Sequence, residues 1–112
     1  MEKIVNIGGH DYKMKSTAAN LLKYKVQFGR DLLEDISDMQ SAMKADGSFD
    51  LSAVNLEVLY NMVWLLIKAA NPELPPPFEW LDTLDSFPLE DAAGEAMALY
   101  VESMGGKTSK NG

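Results

Sequence analysis

The sequence predicts an α+β fold, mostly α, with an N-terminal β-hairpin packed on a bundle of four to five helices. Three observations carry that expectation. Residues 2–15 alternate apolar and polar side chains with period two around a Gly-Gly pair. From residue 16 onward apolar residues recur at helical spacing. Asp-Gly and proline clusters then cut that helical pattern into segments. A chain of 112 residues, 46% hydrophobic and 24% charged, has the length and composition of one modest globular core. We expect a single domain over residues 1–104, with the hairpin at 2–15 and the helices within 16–104. The segment "GGKTSKNG", residues 105–112, has little to bury and reads as a flexible C-terminal tail.

In the hairpin, Val5 and Ile7 on one strand and Tyr12 and Met14 on the other define one apolar face. Taking Gly9-His10 as the two-residue loop pairs Ile7 with Tyr12 and Val5 with Met14. A two-stranded hairpin is marginal in water by itself, so its face must lie on helices. Ser16 or Thr17 is placed to cap a helix carrying Leu21, Leu22, Val26 and Phe28, which ends near Gly29. Asp31 and Glu34 resemble a capping box for a second helix striped by Leu32, Ile36, Met39 and Met43. "KADGSFD" is a loop, and Asp50 or Ser52 is placed to cap a third helix that Pro72 terminates. "PELPPPF" reads as a stiff extended connector, and "FEWLDTLD" as a short helical turn. Pro88 suits the first position of a last helix, with Glu90 and Asp91 in its first turn. Leu89, Ala93, Ala96, Met97, Tyr100 and Met104 mark its apolar face.

Composition excludes several functions. A net charge of -7 disfavours nucleic acid as the main ligand, because phosphates demand cationic surface. The charge is also uneven. Residues 1–30 carry six Lys or Arg against two acids, whereas residues 31–104 carry two lysines against fifteen acids. Without cysteine there is no disulfide, thiol nucleophile or thiolate metal site. "MEKIVNIGG" lacks the apolar core of a secretory leader, so a cytoplasmic location is expected. A membrane span needs about 20 mostly apolar residues. The greasiest stretch, between Glu57 and Lys68, is half that length and contains Asn61.

Catalytic constellations do not assemble. His10, the only histidine, sits in the hairpin turn without a nucleophile motif. "GGKT" at 105–108 lacks the first glycine and the following helix of a phosphate loop. Asp31, Glu34, Asp35 and Asp38 share one helix face and read as a solvated side. Asp46, Ser48, Asp50 and Glu57 take positions 1, 3, 5 and 12 of a calcium loop, but Leu51 stands where the sharp turn requires glycine. The chain is therefore read as a non-enzyme with no cofactor and no metal. What remains is apolar surface. Ten of the twelve residues from Leu56 to Ile67 are apolar, more than a domain this small is expected to cover by itself. Trp64 and Leu65 of that helix, with Phe78, Trp80 and Leu81 just past the prolines, are the candidate partner-binding residues, aromatic anchors being favoured at interfaces.

The order of segments also resembles a known family. The hairpin "IGGHDYKM", the run "YKVQFGRDLLEDI", a Trp-bearing apolar helix and "FEWLDTLDSFPLEDA" resemble the tail assembly chaperones of long-tailed bacteriophages and prophages, in the small acidic type of Gram-positive hosts. The likeness covers about residues 2–104, and "FGRDLLEDI" and "EWLD" are its most specific parts. It implies a non-catalytic protein that binds the tape measure protein, keeps it soluble and promotes tail tube assembly around it. It further implies homo-oligomers, action in the host cytoplasm and absence from the mature virion. A longer frameshifted form that reaches the tail tube protein is also implied, and codons for Gly105-Gly106-Lys107 are compatible with a slippery run. The alternative is a small acidic regulator, of antitoxin or anti-repressor type, that masks a basic surface. Its motive is the acidic balance of residues 31–104.

Overall fold

A computed structural model describes residues 2–103. Strands β1 (Glu2–Ile7) and β2 (His10–Lys15) form an antiparallel hairpin, followed by α1 (Asn20–Phe28) and α2 (Leu32–Ser41). A 3₁₀ turn (Leu51–Ala53) precedes α3 (Leu56–Ala70), α4 (Pro77–Leu81) and α5 (Leu89–Ser103). This is the mostly helical α+β architecture that the sequence predicts. The expected tail at 105–112, and Met104 on the last helix, lie outside the described residues.

The hairpin face is as expected, but its register is not. Val5 pairs with Tyr12 and Ile7 with His10, so the loop is Gly8-Gly9. Both glycines have positive φ, 61° and 87°, the conformation that a two-residue turn matched to strand twist requires. The loop moves by one residue, which changes each partner by two positions and leaves every side chain on the same face. Val5, Ile7 and Met14 are buried there. β2 packs on α3 and β1 on α5. The Asn71 side-chain amide donates to the Lys13 carbonyl and ties the end of α3 to β2.

The helix starts also differ in detail. α1 begins at Asn20 without a side-chain cap, and Gly29 closes it in the left-handed region. Asp31 caps α2 by accepting from the Leu33 amide. Asp50 caps the 3₁₀ turn, and Asn55 caps α3, which ends at Asn71 before Pro72. α5 starts one residue past Pro88, and its Ala92, Ala93 and Ala96 are small enough to let it lie close against the core. Eight of the fifteen residues of α3 are buried, including the unbroken run Met62–Ile67. The small domain therefore covers its greasiest helix more completely than the sequence suggests.

α1 is apolar on two sides. Leu22 is 73% exposed and Val26 85%, whereas Tyr24 is fully buried. Among the described residues the most exposed apolar side chains are Val26, Phe78, Leu22 and Ile4, whereas α3 contributes only Leu56.

Candidate interaction surface

The segment "FGRDLLEDI" builds a buried polar joint that sets the angle between α1 and α2. Asp35 is 1% exposed, against its expected place on a solvated face. Its carboxylate accepts from the Tyr24 hydroxyl (2.7 Å) and from Nε and Nη2 of Arg30 (2.8 Å each). Burial pushes this carboxyl up. The forked Arg30 hydrogen bonds, the Tyr24 hydroxyl and the Arg30 charge outweigh burial and hold it below the usual aspartate range. Burial first, and then the Asp35 hydrogen bond and charge, raise the Tyr24 hydroxyl far above an ordinary phenol. Both carboxylate oxygens accept within this joint, which ties Tyr24 and Arg30 to α2.

That joint aims Phe28, the last residue of α1, at Trp64. Phe28 meets Tyr24 edge-on at 5.1 Å and Trp64 at 5.8 Å between ring centroids. A second aromatic chain runs from Tyr12 to Trp80 (5.6 Å), Phe87 (6.3 Å) and Tyr60 (4.8 Å), again edge-on throughout. Between Phe28 and Tyr60 opens a cleft of about 770 Å³, walled by Pro76, Pro77, Phe78 and Leu81 of the connector and α4. A second cleft of about 420 Å³ lies between Leu22 and Val26 of α1 and Trp64 and Leu65 of α3.

The two clefts share one side of α3. Glu57, Tyr60 and Asn61 line the first, and Trp64, Leu65 and Lys68 line the second. At 100° per residue these positions fall within one arc of the helix. The α3 residues of this two-part furrow span about 16 Å at 1.5 Å per residue. Trp64 divides its length and is fixed by its indole N–H, which donates to the Pro75 carbonyl at 2.8 Å. Lys68 is fixed too, donating to the carbonyls of Pro72 and Leu74.

The sequence-predicted contact residues fall unequally around this furrow. Phe78 is 81% exposed on its rim and Leu81 is half-buried in its wall. Trp64 and Leu65 are buried as its floor. Trp80 is buried behind it, against Tyr12 and Phe87, with its indole N–H lacking an acceptor. Reasoning from sequence missed Leu22, Val26, Tyr60 and the prolines as lining residues. Spacing holds a signal for the first two: Leu22 and Val26 are i, i+4 and lie well round the helix from Tyr24 and Phe28.

The other candidates resolve into local structure. The Asp46 side chain accepts from the Ser48 amide and hydroxyl, and Asp50 does the same for Ser52, which lowers both carboxyls. Among the described residues, no three His, Cys, Asp or Glu side chains converge as a metal site. His10 sits exposed at the start of β2. No helix among the described residues is long and apolar enough to cross a membrane. Comparison with protein-family models, curated proteins and solved structures finds no match to this chain.

Proposed function

We propose that this protein is a non-catalytic tail assembly chaperone that holds helical segments of a tape measure protein and keeps them soluble in the host cytoplasm. The observation that supports the reading is the furrow. An aromatic and proline-walled surface, with Leu22, Val26 and Phe78 exposed along it, suits the apolar face of an amphipathic helix. The order of segments resembling that family supplies the identity of the client. Net negative charge keeps the complex soluble. Homo-oligomers, and a frameshifted form reaching the tail tube protein, belong to the same proposal. Gly105 to Lys107, where the frameshift would fall, lie outside the described residues.

Co-expression with the tape measure protein encoded nearby tests the proposal. The wild type is expected to raise the soluble fraction of the client, and a Val26→Asp, Phe78→Ala double variant to lose that effect while staying folded. A double variant that solubilises the client as well as the wild type would place the client elsewhere. The acidic balance of residues 31–104 favours one second reading, a regulator that masks a basic partner. In that case the gene would lie beside a small basic protein, and the furrow variants would bind that partner normally.

A further inference from the structure

The furrow carries charge in a definite order. Among the described residues, the charged ones lining the first cleft are Glu57 and Glu79, and those lining the second are Lys23 and Lys68. Acids therefore flank the end near the start of α3 and lysines the end near its close. The Lys68 side chain is held in place by two carbonyls rather than by an acid. Between the two charged ends, the floor is Trp64 and Leu65.

We infer that the furrow reads direction: it takes an amphipathic helix of about three turns with its basic end between Glu57 and Glu79 and its acidic end beside Lys23 and Lys68. This rests on the furrow being the docking surface proposed above. The chain direction follows from ordinary helix electrostatics. Helices favour acids in the first turn and bases in the last, because the backbone dipole is positive at the N-terminus. Such a helix lies antiparallel to α3, with its N-terminus beside the lysines. A client with many amphipathic segments would then be gripped in one polarity along its length.

Three synthetic peptides with the same apolar stripe test this. One has an acidic first turn and a basic last turn, one is acidic at both ends, and one is basic at both ends. The first is expected to bind about 3- to 10-fold more tightly than either of the others at low salt, a span set by two screened rim pairs. The advantage fades in high salt. In a Lys23→Glu variant that end holds one acid and one lysine, and the first peptide loses its advantage over the doubly basic one. A spin label on the basic end of the first peptide is expected to broaden Phe78 resonances more than those of Val26.

Equal affinities for all three peptides, or stronger broadening at Val26 than at Phe78, would overturn the inference while leaving the docking surface in place. A doubly basic peptide that binds best to the wild type would also overturn it, since overall charge would then govern. Binding by none of the three would overturn the inference and the docking surface together. A peptide-free dimer that Val26→Asp dissociates would assign the furrow to a second copy of the chain and overturn the helix-ligand inference.

Discussion

Replacing Asp35 with alanine removes the acceptor of three hydrogen bonds at a joint between α1 and α2. Arg30 is exposed and regains water when its partner goes, so no part of the expected loss is assigned to it. The Tyr24 hydroxyl is different, because Tyr24 is fully buried and the Asp35 carboxylate is its acceptor. Stranding a buried donor costs about 1–3 kcal/mol. The space left by the carboxylate adds about 1 kcal/mol, since its neighbours relax only partly. We expect Asp35→Ala to lose about 2–4 kcal/mol in urea unfolding, a large share of a small domain's stability. Trp64 and Trp80 are both buried and provide the fluorescence signal.

Tyr24→Phe supplies the control. In that background no hydroxyl remains to be stranded, so Asp35→Ala should cost about 1–2 kcal/mol less. The same cost in both backgrounds, or a single-variant loss under about 0.5 kcal/mol, would refute the joint as a source of stability. The pH dependence has a fixed sign. The Asp35 carboxyl is held below its usual value, so its contribution is full above the unfolded aspartate pKa of about 3.9. It is lost as pH falls through the lower folded value, and there the gap between wild type and Asp35→Ala should narrow. The Tyr24 hydroxyl, raised by burial and then by Asp35, acts at the other end. Its contribution is full below the unfolded tyrosine pKa of about 10 and is lost as pH rises further.

Three further outcomes check the packing. Gly8→Ala should destabilise the hairpin by about 1–3 kcal/mol in thermal unfolding, because φ is positive and a Cβ would stand 3.1 Å from the Ser86 carbonyl oxygen. Trp80→Phe should lie within about 1 kcal/mol of wild type, since its indole N–H has no acceptor to lose, whereas Trp80→Ala should cost about 3–5 kcal/mol. Val26→Ser should change stability by less than about 0.5 kcal/mol, and a loss above 2 kcal/mol would mean that the outer face of α1 is covered after all.

The fold was legible where one physical signal acted alone. Period-two alternation placed the hairpin face, and that face survived an error in the loop because a partner change of two preserves side-chain direction. Pro72 bounded α3 at its end, whereas its cap is Asn55, nearer the helix than the expected Asp50 or Ser52. The misreadings arose where two signals competed. Asp35 looked solvated because charge normally means exposure. Only the meeting of Arg30 and Tyr24, five and eleven residues away in sequence, makes its burial affordable, and that meeting is tertiary.

α1 posed the same problem in reverse, and it bears directly on function. Its apolar residues fall in two groups, Leu21, Tyr24 and Phe28 on one side and Leu22 and Val26 on another. Read as one stripe they predict a buried face; as two they predict a helix apolar toward the core and apolar toward the outside. The structure has the second arrangement, with Tyr24 at 0% exposure. Such a helix is held from its inner side alone, by the packing of Tyr24 and Phe28 and by a polar anchor. The Tyr24–Asp35–Arg30 joint is that anchor, because it locks α1 from the inner side through directional hydrogen bonds. Leu22 and Val26 are thereby left to line the furrow beside α3. The joint and the proposed docking surface are thus two sides of one helix. A variant that weakens the first should loosen the second before the domain unfolds.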